Sequence, residues 1–476
     1  MTNMTYRLVK LFYVSLGLTV VLIAGCSKSK LDMTPQTDKV LSAFYKNEAQ
    51  LNEGVNGAYA MLQYGGQYGS NYLVFGEIPS DNTFDEVPAN DNGNYGQLDM
   101  FSAISLNGLV DGTWQDAYKC IQQTNVILNR IDGIDMASAN RDKLKGEMLY
   151  IRALTYFNLV RILGDVPLVI KETTNVNDYF GQGRTPKTEV YGQIEQDLIK
   201  AAQLLPAARS INGRVTQGAA FALLGKVYLT LKKYDLAIGQ LTKVGPLGYK
   251  LLTDPARIFD PAFKNNEEII FDVQFASGVN GNKEGSNAFQ LFSPSGTVAG
   301  AKGHNLPTRE IYNSFTSKDR RRDAYLGMTK DGVPFTRKLV QTSTTVEDGG
   351  SNVVVLRYAD VLLMLAECYN ETGNSVNALD NLNQVRNRAS LDKTVTTDQN
   401  SLRTVIALER QLELIGEGSR WFDLIRTDQA IDVMNSYFAR TPGYQGVKVT
   451  ADNLVQPIPQ SQTNTDPAIK QNKGYN

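Results

Sequence analysis

Apolar positions recur at steps of three and four along most of this chain, the spacing that lines side chains on one face of a helix. Leu41, Phe44, Leu51, Val55, Ala58 and Leu62 keep that spacing across residues 39–64. Trp114, Tyr118, Ile121, Asn125, Leu128 and Ile131 keep it again, as do Leu149, Ala153, Tyr156 and Val160 within 143–163. Gly164-Asp165-Val166-Pro167 then breaks the pattern, since glycine and proline punctuate helices. A further helical stretch is expected over 402–434. Residues 268–275, Glu-Ile-Ile-Phe-Asp-Val-Gln-Phe, are β-branched and aromatic and predict a strand, with a second short one at 353–356. Three stretches have no sustained period: the Gly/Asn/Asp/Tyr-rich 65–112, the Gly/Ser/Asn-rich 277–305, and the Pro-rich tail from 441 onward.

Two helical stretches share a finer register. Phe221, Leu224, Gly225, Tyr228, Tyr234, Ala237 and Leu241 match the tetratricopeptide pattern, and Leu362, Leu365, Ala366, Tyr369, Ala378 and Leu382 repeat it. Leu149, Ala153 and Tyr156 make half a match. Small residues at Gly225 and Ala237 allow two antiparallel helices to approach, while Tyr228 and Leu241 fill the space beside them. The expected fold class is mainly α: tetratricopeptide-like helical hairpins forming a scaffold, with large irregular loop insertions and a few short β-strands.

The amino end adds a location. Arg7 and Lys10 precede an apolar run over 11–23, then small residues and Cys26. Residues 1–25 read as a lipoprotein signal peptide, with Cys26 as the lipidated new amino terminus. The run is shorter than the ~20 apolar residues that span a bilayer. A soluble body tethered by acyl chains is therefore expected. The formal charge of −1 gives no electrostatic case for nucleic acid. Cys120 and Cys368 lie in apolar helical patterns and are read as core residues rather than a disulfide or metal pair. The chain has one histidine, His304, in the Gly/Ser-rich stretch, which excludes a multi-histidine zinc site and makes it a loop residue. Neither a phosphate-binding loop nor a G-x-S-x-G elbow is present. No metal and no cofactor are expected.

Ordered motifs over nearly the whole mature chain resemble the SusD/RagB family of surface lipoproteins that serve TonB-dependent outer-membrane transporters. Leu31-Asp32-x2-Pro35 follows the cysteine. Arg152-Ala153-x2-Tyr156-Phe157 leads into Gly164-Asp165-Val166-Pro167-Leu168-Val169, and then come Tyr191-x2-Ile194-x2-Asp197-Leu198 and Leu205-Pro206. Asp319-Arg320-Arg321 and Leu356-Arg357-Tyr358-Ala359-Asp360-Val361-Leu362-Leu363 follow, with Ala366-Glu367 and Val385-Arg386-x-Arg388-Ala389. Glu409-Arg410-x2-Glu413-Leu414, Glu417-Gly418 and Arg420-Trp421-Phe422-Asp423-Leu424-x-Arg426 lead to Pro457-Ile458-Pro459 and Gln471-Asn472-x-Gly474-Tyr475. One departure is Ser27-Lys28-Ser29-Lys30, basic where surface display often uses acids.

The resemblance implies an N-terminal region over 26–245 and a C-terminal region over 265–476, interleaved in one body. It also implies a non-catalytic protein that binds an oligosaccharide, less often a peptide, and acts as lid or accessory subunit of a SusC-like TonB-dependent transporter. The implied location is the outer membrane, through a lipid anchor. A carboxylate-based surface glycosidase and a protein-only helical scaffold are the alternatives.

Within that frame Arg357, Glu367, Glu409, Arg410, Glu413 and Arg420 are expected to form a structural ion-pair lattice, because unpaired buried charge is costly. The catalytic alternative would use Glu367 or Glu413. Sugar binding takes exposed aromatic rings beside directed hydrogen bonders. The 65–112 segment offers Tyr68, Tyr72, Phe75, Phe84 and Tyr95 among Asn71, Asp81, Asn82, Asn94 and Asp99, with about half of the rings expected as packed anchors. Phe289, Phe292, Asn287 and Gln290 form a second candidate patch, and Tyr179 with Phe180 a third.

Overall fold

The computed structural model describes residues 45–475 except 176, 210, 211, 282, 283 and 341. The leader, Cys26, the tether and the first helical positions Leu41 and Phe44 lie outside the described residues.

Helices dominate, and their ends follow local chemistry. Helix α1 (Glu48–Met61) starts where the Asn47 side chain accepts from the Gln50 amide, and it buries Leu51, Val55 and Ala58. Helix α2 is Asn71–Glu77. Helix α3 (Gly108–Arg130) begins six residues before Trp114, because Asn107 accepts from the Leu109 and Val110 amides and caps it. The glycines at 108 and 112 conceal that first turn from a periodicity reading. Helix α4 (Ser138–Leu163) stops at Gly164, whose φ of +74° suits glycine. Then come α5 (Lys187–Leu204), α6 (Gln217–Thr230) and α7 (Tyr234–Leu241). The C-terminal half holds α8 (Tyr358–Glu371), α9 (Ser375–Arg388), α10 (Gln399–Glu413), α11 (Arg420–Arg426) and α12 (Ala430–Arg440).

Helices α6 and α7, and α8 and α9, pack as the two hairpins of the repeat pattern. A Cβ on Gly225 would overlap the Leu241 side chain, so the absent side chain sets how closely α6 and α7 approach. Ala366 and Ala378 are both fully buried in the other hairpin.

The strands form three two-stranded antiparallel pairs: β1 (Thr83–Phe84) with β3 (Leu306–Pro307), β2 (Ile269–Val273) with β6 (Val353–Arg357), and β4 (Leu326–Met328) with β5 (Pro334–Thr336). β6 runs straight into α8, with Arg357 at the junction. One large core cluster takes Leu51 and Phe157 from the N-terminal half, Phe271 from β2, and Trp421 and Phe438 from the C-terminal half. Free Cys120 and Cys368 are both buried.

Two irregular stretches are more ordered than their composition suggests. Segment 65–112 contains a π-helical turn at Gly65–Gly69, α2, β1 and a short helix Asn94–Asp99. The tail returns across the N-terminal half: the Gln456 amide donates to the Ile162 carbonyl at 2.8 Å, and Asn472 Nδ2 to the Leu163 carbonyl at 2.9 Å. No helix among the described residues is long and apolar enough to cross a membrane.

Candidate functional site

A cleft of about 410 Å³ opens between α1 and β2, where Asn56, Tyr59, Gln63, Asp272, Gln274 and Glu284 supply its polar lining. Gln63 Nε2 donates to the Gln274 carbonyl at 2.8 Å and to Glu284 Oε2 at 3.2 Å, joining the end of α1 to the 277–305 insertion. Asp272 accepts from Asn352 Nδ2 at 2.8 Å and from Gln274 Nε2, and burial pushes its carboxyl up to about 6. Arg214 donates to Asn56 Oδ1 at 2.8 Å and lies over the Tyr59 ring. Tyr64 follows Gln63 directly and is 42% exposed. Such a set offers donors and acceptors of both kinds, with a ring beside them, to a ligand rich in hydroxyls.

The charged signature residues lie elsewhere and are occupied with one another. Glu413 accepts from Arg357 Nη1 at 2.5 Å, Arg321 Nη1 at 2.9 Å, Tyr325 Oη at 3.0 Å and Arg388. Burial by itself would raise the Glu413 carboxyl, but Arg388, Arg357 and Arg321 hold it well below the carboxylate range. Arg357 also bonds Glu417 and Glu268, and Arg321 also pairs with Glu409 and Asp319. A neighbouring group joins Arg410 to Asp360 and Asp423, and Arg426 to Glu367 and Asp423. Arg420 stands apart and pairs with Asp81 at 2.7 Å. A buried carboxylate gripped by three guanidiniums has no proton to give and no open face for substrate. No cluster of ligating side chains able to hold a metal occurs among the described residues.

A family model described as the SusD family matches residues 323–475, and a second, described as starch-binding associating with outer membrane, matches 30–229. The chain belongs to the SusD/RagB family. A SusD-like protein of Formosa agariphila is 26% identical over 528 residues, covering 96% of this chain and 98% of that one. Another, of Bacteroides ovatus, is 26% identical over 478 residues, covering 88% and 83%. Among solved structures, a laminarin-binding SusD-like protein is 27% identical with a TM-score of 0.78, covering 90% of this chain and all of that one. A SusD superfamily protein of Bacteroides vulgatus is 25% identical with a TM-score of 0.79 and covers 91% of this chain.

The ligand-facing residues expected in this SusD/RagB chain need correction. Tyr68 and Phe75 are wholly buried, and Asn71, Tyr72, Asn82 and Tyr95 are buried as well. Asn158 donates to Tyr68 Oη, and Tyr72 packs against Tyr68 and Phe422 under the Arg161 guanidinium. Asn71 donates to the Leu109 carbonyl and Thr113 Oγ1, while Asn82 donates to Glu77. Asp81 is occupied by Arg420. The buried residues among these can meet a ligand only by unpacking. The physical reason is that an aromatic-and-amide loop composition is shared by sugar sites and by loops tucked into a core. Phe289 keeps partial exposure on the short helix Ala288–Leu291, whereas Phe292 and Gln290 are buried. The exposed aromatic side chains among the described residues are Tyr64 and Phe180. Sequence reasoning named Phe180 but missed Tyr64 and Gln63. The available signal was angular: Tyr64 falls two residues after Leu62, hence on the side of the helical path opposite its apolar face.

Proposed function

We propose that this chain is a non-catalytic glycan-binding lipoprotein that serves a TonB-dependent outer-membrane transporter as its lid or accessory subunit, anchored through Cys26. The observation that carries the binding half is the match to a laminarin-binding SusD-like protein over that protein's whole length at 27% identity. The α1–β2 cleft supports it, with Gln63, Gln274 and Glu284 as hydrogen bonders and the exposed Tyr64, next in sequence to Gln63, as a ring able to stack on a sugar face. The arginine-locked Glu413, Glu409 and Glu367 support a binding role over hydrolysis, since a glycosidase needs one carboxyl able to deliver a proton and a second facing it across a cleft.

The test is affinity electrophoresis of the purified mature protein in gels cast with laminarin and a panel of other glycans, with product analysis of the same mixtures. Retention on at least one glycan, reduced by Tyr64→Ala, with no shortened products, is the expected result. Release of oligosaccharides would establish an enzyme, and free migration through every glycan would overturn the binding reading. The transporter and anchor are tested separately. Labelled palmitate should enter the native chain and be lost in Cys26→Ala, and a β-barrel partner should co-purify from detergent-solubilised outer membrane.

A further inference from the structure

The single histidine is the most unusual polar side chain outside the cleft. His304 precedes β3 and is completely buried, although its surroundings in sequence are loop. Its Nδ1 lies 2.8 Å from Asp85 Oδ1 and its Nε2 lies 2.8 Å from Asp91 Oδ2. The ring stacks on Tyr95 with centroids 3.7 Å apart and planes 9° from parallel. Both nitrogens thus face acceptors. A neutral imidazole has one donor and one acceptor, so it can satisfy one of these carboxylates and must turn a lone pair toward the other. A ring carrying both protons satisfies both, with two charge-assisted bonds.

What this ring holds is the far end of the 277–305 insertion. The backbone amides of His304, Gly303 and Lys302 donate to the carbonyls of Leu291, Ser293 and Gln290 at 2.9 Å each, and Ser293 Oγ donates to the Phe289 carbonyl at 2.6 Å. The Glu86 amide meets the Gly303 carbonyl from the opposite segment. The short helix that presents Phe289 is therefore braced on His304, and His304 is braced on Asp85 and Asp91.

We infer that His304 is a positioning residue, a proton-dependent clasp that fixes the Phe289 turn against the 81–99 segment and releases it when the ring gives up one proton. Its link to ligand rests on the glycan-binding reading above; the clasp itself does not. The charged and titratable groups around the ring are Asp85, Glu86, Asp91, Tyr95 and Asp99 from the 81–99 segment, Lys302 beside it, and Tyr437 and Tyr444 from α12 and the chain after it. Burial pushes Asp99 up to about 7, where it accepts from Tyr444 Oη, so a bulk pH response of this region would include Asp99. The readout must therefore be the ring.

One histidine per chain makes that readout clean. Ring ¹⁵N spectra of histidine-labelled protein are recorded from pH 6 to 8.5, with hydrogen exchange of residues 288–304 corrected for intrinsic rates. At pH 6 both nitrogens should carry slowly exchanging protons. As the second proton leaves, protection of 288–304 should fall by about tenfold or more, the size of one lost charged hydrogen bond. Asp91→Asn is the decisive variant. Position 91 is solvent-accessible and has φ +47°, which asparagine tolerates, and its amide can donate to a neutral Nε2. Protection in that variant should persist at pH 8.5 with a neutral ring. A neutral ring at pH 6, or deprotonation with unchanged protection, overturns the clasp, as does Asp91→Asn keeping the pH dependence of the native chain. Laminarin retention on the same samples reports separately on the binding reading, because exchange and ring spectra need no glycan.

Discussion

Single side chains in this molecule divide into those held by charge and those held by exclusion of water. Glu413 belongs to the first kind, and removing it leaves Arg321, Arg357 and Arg388 buried around a gap. Glu413→Ala is expected to destabilise the fold by about 3–5 kcal/mol, read as a lowered denaturation midpoint, because the remaining guanidiniums lose their shared counter-charge. Glu77 belongs to the second kind. It accepts from the Gly418 and Ser419 amides and from Asn82, and burial pushes it up to about 7. A carboxyl raised on folding favours the native state most below its unfolded value, and that contribution is lost as pH rises from about 4.5 through about 7. Glu77→Gln should therefore flatten the decline in stability between pH 5 and 8 while keeping both backbone bonds; an unchanged slope would place the decline on Glu147 or Asp99, which burial also brings to about 7. Tyr72→Ala belongs with this second kind too: its effect should appear in thermal stability, since the ring is sealed between Tyr68 and Phe422.

Elements were legible from the sequence wherever one face is apolar and the period is sustained. The α6–α7 and α8–α9 hairpins are visible in the spacing of Tyr228, Ala237 and Leu241 and of Ala366, Ala378 and Leu382, since close helix contact demands small residues at fixed offsets. Helix α2 was not legible. Asn71–Glu77 is buried on all sides, so it has no polar face and no period to read. Its packing is backbone against backbone: a Cβ on Gly76 would overlap the Gly418 carbonyl, and Gly418 itself has φ +73°. Gly76→Ala, which would favour an isolated helix by about 1 kcal/mol, is expected instead to lower the melting temperature clearly, because no flexible side chain stands at the contact to yield. A neutral or stabilised variant would mean that α2 can slide on the 416–419 loop.

At the scale of the whole molecule, the C-terminal tail closes the fold. Asn472 Nδ2 donates to the Leu163 and Gln456 carbonyls, and Arg184 donates to the Lys470 carbonyl and to Asn472. Truncation after residue 455 should leave the end of α4 unsatisfied and make the 164–185 loop a preferred site in limited proteolysis; an unchanged digestion pattern would show the tail to be dispensable. Sequence alone determined the helical class, the repeat hairpins and the family, because these rest on local periodicity and ordered motifs. Only the tertiary structure decided which aromatic rings meet solvent, which carboxylate each arginine grips, and that a histidine in loop sequence is sealed between two aspartates. Burial and pairing depend on segments more than 200 residues apart, as with Asp85 and His304, and no short-range pattern records which distant surface will cover a given side chain.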